Sequence, residues 1–272
     1  MFEKFLRHLP YIKNIIQKIY DTDDAIDNLR SRLDISDDLL MQFQQDSNST
    51  AYQSEFDKEE PLVSVCVATY NRSKLLTERC LYSLVHQDYR NIEIIVVGDG
   101  CTDDTEQRVS AINDQRIRFI NLAQHGDYPV NPNWRWMVAG TVPVNYALDM
   151  ANGAFITHLD DDDEHSQDRI SKLVHFIQDT RADIVWHPFW RETAFDKWRL
   201  KTALYFRKNQ VTTSSVFYHR WFKRIHWDIN AYKYREPGDW NRFRKFVYLG
   251  CTSKRFPEPL LKHYKEKGQE GY

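Results

Sequence analysis

The sequence predicts an α/β protein: a mostly parallel, Rossmann-like sheet flanked by helices, behind a helical N-terminal extension. Three observations carry this. Apolar, β-branched runs of strand length recur from Leu62 onward, too continuous for a sheet with one wet face. Segments with helical spacing separate them, which implies right-handed crossovers between parallel strands. Residues 1–60 contain no strand-like run, so the extension ends and the α/β domain (61–272) begins near Pro61.

The extension opens with "MFEKFLRHLPYIKNIIQKIY", which places Phe2, Phe5, Leu6, Leu9, Ile12, Ile15, Ile16 and Ile19 at helical spacing with Lys4, Arg7, Lys13 and Lys18 between them. Pro10 is expected to kink or divide that helix. Ile19, Ile26, Leu33 and Leu40 are seven apart, with Leu29 and Phe43 on the companion seam, enough for a short coiled coil. Three uses stay open: a helical hairpin packed on the body, a homo-oligomer through the heptads, or peripheral contact of the basic start with an anionic membrane face. "QQDSNSTAYQSEFDKEEP" reads as a polar linker.

In the domain, "LVSVCVAT" is the first strand and Ser73–His86 the first helix. "IEIIVV" is the second strand, a helix follows over Asp103–Ile112, and "RIRFINL" is the third strand. An irregular segment with "HGDYPVNPNW" precedes a helix over Val144–Ala151 and the fourth strand, Ala154–Leu159. A helix over Asp168–Thr180 and the strand "ADIVWHPFW" complete the pattern.

Composition narrows the function. The 272 residues carry a net charge of −2, which argues against a nucleic-acid partner. Cys66, Cys80, Cys101 and Cys251 form no C-x-x-C pair, the usage of reduced thiols in a cytoplasmic protein. No apolar run approaches the roughly 20 residues of a membrane span, and no secretory signal is visible.

Ligands of open parallel sheets gather beyond the carboxyl ends of the strands. Three strand ends here carry polar turns: "ATYNR", "GDGCTDDT" and "DDDD". Four adjacent carboxylates repel one another, and a divalent cation is the simplest compensation. Mg2+ or Mn2+ held by carboxylates commonly grips phosphate oxygens. The chain lacks a P-loop string, and "GDGCTD" has Asp103 where a dinucleotide fingerprint needs its third glycine. Gly98 and Gly100 instead permit a turn that aims Asp99 at the pocket. Acidic residues before a helix also serve as plain N-caps, so the three loops count only together.

Those loops carry a resemblance. "PLVSVCVATYNR", "IEIIVVGDGCTDDT", "NYALDMANGAFITHLDDDDEHSQDRI" and "REPGDWNRF", in this order, resemble family 2 glycosyltransferases of the GT-A fold over roughly three quarters of the chain. Gly98 departs from the family, which often has a first Asp there. The resemblance implies an inverting transfer from a nucleotide-diphosphate sugar, most simply UDP-linked, to a glycan or glycolipid acceptor, on the inner face of the cytoplasmic membrane or in the cytoplasm. It implies that Thr69, Tyr70 and Arg72 line the nucleotide site, that Asp99 binds base or ribose, and that Asp160 and Asp161 contact nucleotide or phosphate. Asp162 would be the principal metal ligand, with Asp160 and His263 as further contacts. Asp239 matches the general base. Arg135 is a candidate nucleotide contact. Trp240 and Trp190 are candidate acceptor platforms, since ring faces suit sugars; Arg191, His187 and "RWFKR" are candidates for meeting an anionic acceptor. A sugar nucleotidyltransferase is the weaker alternative, because "ATYNRSK" has no glycine; a non-catalytic nucleotide-sugar-binding module is the other.

Overall fold

A computed structural model describes residues 2–194 and 197–265, with the side chains of residues 2–13 outside the described set. Strands β1 (Val63–Thr69), β2 (Ile92–Gly98), β3 (Ile117–Asn121), β4 (Phe155–His158), β6 (Ile184–Trp186), β9 (Val216–His219) and β10 (Ser253–Arg255) form a seven-stranded sheet in the order β10-β6-β9-β4-β1-β2-β3. β5 (Glu164–His165), β7 (Phe189–Ala194), β8 (Lys197–Lys201) and β11 (Leu261–His263) form a second sheet, ordered β5-β11-β7-β8. In the large sheet β9 alone runs antiparallel to its neighbours β4 and β6; the other pairings are parallel.

Sequence dictates this order directly. Val63, Val65, Val67 and Ile92, Ile94, Val96 are buried, as are Ile95 and Val97 on the opposite face, so β1 and β2 can only be central. β3 has no fully buried residue and sits at the edge. The expected strand "ADIVWHPFW" proves to be two. Pro188 cannot donate to a ladder, and the chain leaves the large sheet after Trp186 to enter the small one at Phe189. The expected helix after β1 spans Ser73–Val85 with a π-helical turn over Leu76–Leu81 at its centre. The segment expected to be irregular contains a helix, Pro132–Val138, capped by the Asn131 side chain.

The N-terminal part corrects two expectations. Helix α1 (Phe2–Asp34) runs through Pro10 undivided; a proline there removes one donor and leaves the rest of the ladder in place. α1 ends at Asp34, and Ser36 caps α2 (Asp37–Asp46) by accepting the Leu39 N–H. The stretch read as a linker is docked, not loose. Phe43, Tyr52 and Phe56 are buried, with Tyr52 stacked on His219 at 3.6 Å and its hydroxyl donating to Asp183 at 2.5 Å. Two aromatic anchors hold a segment whose intervening residues are polar. The run "RWFKR" serves the same packing: Trp221 and Phe222 are buried, and the Trp221 indole N–H donates to Asp46 at 2.8 Å.

Candidate active site

The carboxyl ends of β1, β2 and β4 open on one cleft of about 770 Å³. Its lining includes Thr69, Tyr70, Arg72, Asp99, Asp160, Asp161, Asp162, Asp239, Trp240 and His263. These residues, and with them Arg135 and Arg191, converge as the sequence led one to expect. Trp190 does not: it is 39% exposed on β7 and outside the lining, because β7 turns that face away from the cleft. His187 is also removed from any acceptor role, being fully buried against Arg169.

On the β1 side, Tyr70 stacks on His125 at 4.1 Å, making an aromatic face at the rim. Asp99 is buried and accepts the Gly126 N–H at 3.0 Å, with His125 Nδ1 3.1 Å from its other oxygen. Gly100 has φ +69°, and a Cβ there would lie 2.6 Å from the His125 backbone nitrogen, so the turn that presents Asp99 requires glycine. Arg135 lines the cleft, but its guanidinium donates to the carbonyls of Pro129 and Val130.

The four consecutive aspartates divide their work. Asp161 accepts from Thr69 Oγ1 at 2.7 Å and from Arg72 at 3.1 Å. Asp162 accepts from Arg72 at 2.7 Å, and its carbonyl accepts from Arg79 at 2.6 Å. Asp163 accepts from His263 Nδ1 at 2.8 Å and from the Tyr264 N–H at 3.0 Å. Among the described residues, Asp160, Asp163 and His263 bring ligand atoms within 4.8 Å of one another. The expected metal set therefore shares Asp160 and His263 with this group, while Asp162 turns its carboxylate to Arg72 and Asp163 takes the third place.

Electrostatics of the group fit a cation. Burial, then the charges of Asp163 and Asp162, push the Asp160 carboxyl far above its ordinary range. Asp161 is pushed up to about 6 by burial and by Asp162, against the pull of Arg72. Burial opposes a charge on His263, but Asp163, then Asp160 and Asp162, outweigh it and raise the imidazole to about 9. Two carboxylates and one imidazole are a donor set for a borderline or hard divalent ion.

Across the cleft, Asp239 opens the helix Gly238–Tyr248 and is half-buried. Gly238 lets the helix start come close: a Cβ there would meet the Met137 carbonyl and Trp227 at 3.2 Å. Burial pushes Asp239 up to about 6, with backbone N–H groups of Trp240, Asp239 and Thr213 and the charge of His263 opposing. The influence of His263 and Thr213 ties the two sides of the cleft together.

One supporting element left no readable signal in the sequence. The turn Thr213–Ser215 spans between the two acidic sites, with Ser214 Oγ accepting the Asp160 N–H at 3.0 Å. Beneath it lies Arg169, fully buried, donating to the Ser214 carbonyl at 3.1 Å and to Thr157 Oγ1 at 3.0 Å.

The family model for Glycosyl transferase family 2 matches residues 64–131 and 140–237, more than half of the chain. The chain belongs to glycosyl transferase family 2. One relative is the GalNAc(5)-diNAcBac-PP-undecaprenol beta-1,3-glucosyltransferase of Campylobacter jejuni, 37% identical over 126 residues, 46% of this chain and 37% of that protein. The Staphylococcus aureus TarS structure with UDP-GlcNAc is similar at TM-score 0.59 and 19% identity, covering 77% of this chain and 61% of that one. The Pyrobaculum calidifontis mannosyltransferase PcManGT, solved with GDP-Man and Mn2+, is similar at TM-score 0.54 and 16% identity, over 82% and 65% of the two chains. The chain spans less than half the length of the first curated relatives it matches. This family 2 glycosyltransferase has a GT-A-type fold, and no helix among its described residues is long and apolar enough to cross a membrane.

Proposed function

We propose that this glycosyltransferase inverts the anomeric centre of a nucleotide-diphosphate sugar, UDP-linked in the first instance, while transferring it to a hydroxyl of a glycan or glycolipid. One observation carries the reading: a carboxyl raised to about 6, Asp239, lines the same cleft as Asp160 and His263, which with Asp163 form a carboxylate–histidine group. Inversion is a single displacement, so the acceptor hydroxyl must lose its proton as it attacks. Asp239 accepts that proton. Charge gathers on the departing nucleoside diphosphate, and a divalent cation held by Asp160, Asp163 and His263 would supply Lewis-acid stabilisation there. Arg72 pairs with Asp161 at 3.1 Å and with Asp162 at 2.7 Å, a positive charge beside the nucleotide. Tyr70 on His125 offers the base a stacking face, and Asp99 offers base or ribose an acceptor.

The acceptor side points to an anionic glycolipid. Arg191, Lys201 and Lys208 line the cleft, and burial together with the charges of Arg191 and Arg199 holds the Lys201 ammonium below its ordinary range. Such a wall suits an acceptor carried on a lipid diphosphate, the class printed in the name of the Campylobacter relative. That acceptor would bring the enzyme to the inner face of the cytoplasmic membrane. Trp240 lines the cleft but is 5% exposed, with its indole N–H donating to Asp27, so its part is to fix the start of the Asp239 helix and not to serve as an open sugar platform.

Thermal shift and calorimetry with UDP, dTDP and GDP, each with and without Mn2+, test the reading. Stabilisation by UDP that needs Mn2+ is expected, about 2.7 kcal/mol at a hundredfold excess over Kd. Binding without any donor hydrolysis or transfer would leave a nucleotide-sugar-binding module. No metal-dependent binding by any of the three would remove the proposal.

A further inference from the structure

α1 contributes no lining residue to the cleft, yet it carries the most regular apolar pattern in the chain. Counted as heptads with Ile19 at position a, Ile19, Ile26 and Leu33 fall at a, and Ile15, Thr22 and Leu29 at d. These residues form one seam of roughly 30 Å along the helix. Its five apolar members are exposed among the described residues: Ile15 41%, Ile19 53%, Ile26 40%, Leu29 63% and Leu33 87%.

The body holds α1 by other positions. Tyr20, Asp27 and Asp34 stand at b, and Asp24 and Ser31 at f. Tyr20 meets Tyr205, Asp24 pairs with Arg207 at 2.5 Å, and Asp27 accepts the Trp240 indole N–H at 2.8 Å. Ser31 and Asp34 accept from Arg244 at 3.0 and 2.6 Å. Positions b and f are the ones a two-stranded coil turns outward. Arg30 at e also pairs with the buried Glu236 at 2.5 Å, so the body borders one flank of the seam and leaves positions a and d open.

We infer that the occupant of this seam is the α1 of a second copy, wound parallel to the first. Three features select it. β-Branched Ile19 and Ile26 at a with Leu29 at d favour two strands in a parallel coil. In that arrangement Lys18 at g of one helix faces Asp23 at e of the other, an attractive contact repeated by symmetry. Thr22, the polar member of the seam, already donates its hydroxyl to the Lys18 carbonyl at 2.8 Å and can be buried without loss. A membrane plane fits less well. A seven-residue repeat drifts about 20° per heptad around a straight helix, which a winding partner follows and a flat surface does not. The seam also runs on past Asp21, Asp23, Asp24 and Asp27, which anionic lipid repels.

Sedimentation equilibrium of the full chain at about 50 µM is expected to give a dimer. Ile26→Asp with Leu29→Asp should raise the dissociation constant at least a hundredfold and leave nucleotide binding unchanged, because both side chains are on the solvent side. Orientation is read by oxidising Ile19→Cys and Leu33→Cys chains separately and mixed: parallel winding gives 19–19 and 33–33 disulfides. A monomer at that concentration, or 19–33 disulfides in preference, overturns the proposal. So does sedimentation of a monomer with phosphatidylglycerol vesicles that the paired Asp substitutions abolish, which would assign the seam to the membrane.

Discussion

Asp239 and Asp160 are carboxyl groups of one cleft, both raised above the ordinary range, yet for different reasons. Asp239 is raised by burial alone, and every neighbour named with it, backbone N–H groups and His263, pulls it back. Asp160 is raised by burial and further by its own acidic neighbours. A lone half-buried carboxyl with a pKa near 6 is suited to exchanging a proton at neutral pH. A crowd of carboxyls raised by mutual repulsion is suited to a divalent cation, which relieves the repulsion a proton would only partly remove. Residue type does not separate the two roles; the source of the shift does.

The largest expected effect breaks the comparison from both ends. Asp239→Asn should lower transfer by about 10²–10⁴-fold while metal-dependent nucleotide affinity stays within a few-fold. Asp163→Asn should do the converse, weakening Mn2+-dependent nucleotide binding by at least about tenfold in calorimetry. Equal losses of both properties in both variants would mean that the cleft has one acidic site, not two.

Much of this site was legible before any geometry. β1, β2 and β4 are marked by their own buried runs, and parallel topology alone then gathers Thr69, Asp99 and Asp160 at one edge. What was not legible is instructive. In "DDDD" the tight turn after β4 sends successive side chains to different partners, and identical letters cannot say that Asp162 goes to Arg72 and Asp163 to His263. Trp190 and Trp240 look alike as platforms; strand direction in the second sheet takes one out of the cleft. The heptads of α1 are visible in the chain, but the side taken by the body is set by Arg207, Trp240 and Arg244, some two hundred positions away.

pH should sharpen the same contrast by a moderate amount. Asp239 works as the carboxylate, so the transfer rate should fall about tenfold per unit as pH drops below about 6, where an ordinary Asp would hold to about 4. His263 must lose its proton to bind a metal, and its raised pKa of about 9 makes Mn2+ affinity climb through the neutral range with proton release. The stability sign follows. The His263–Asp163 pair contributes fully below His263's unfolded value of 6.5 and is lost as pH rises through about 9. The raised pKa of Asp160 means that the folded state favours its neutral form, a contribution lost as pH rises above the ordinary carboxyl range. Mn2+ should therefore raise Tm more at pH 7.5 than at pH 5, and equal shifts at both would separate the cation from this group.

The smallest effect concerns what holds Asp239 in place. Its neighbour Trp240 is buried, and its indole N–H donates to Asp27 of α1 at 2.8 Å. Asp27 is itself raised by burial, and this bond is the chief influence lowering it again. Trp240→Phe keeps the ring and removes the donor, leaving a partly buried carboxylate short of a partner at a cost of about 1–3 kcal/mol. For a chain of this size, Tm should fall by roughly 2–4 °C per kcal/mol. Nucleotide binding at the Asp160 group should not change, while the acid limb governed by Asp239 should shift by less than a pH unit. An unchanged Tm would show that α1 contributes nothing to the base-bearing helix, and the link from the outer seam to the cleft would be lost.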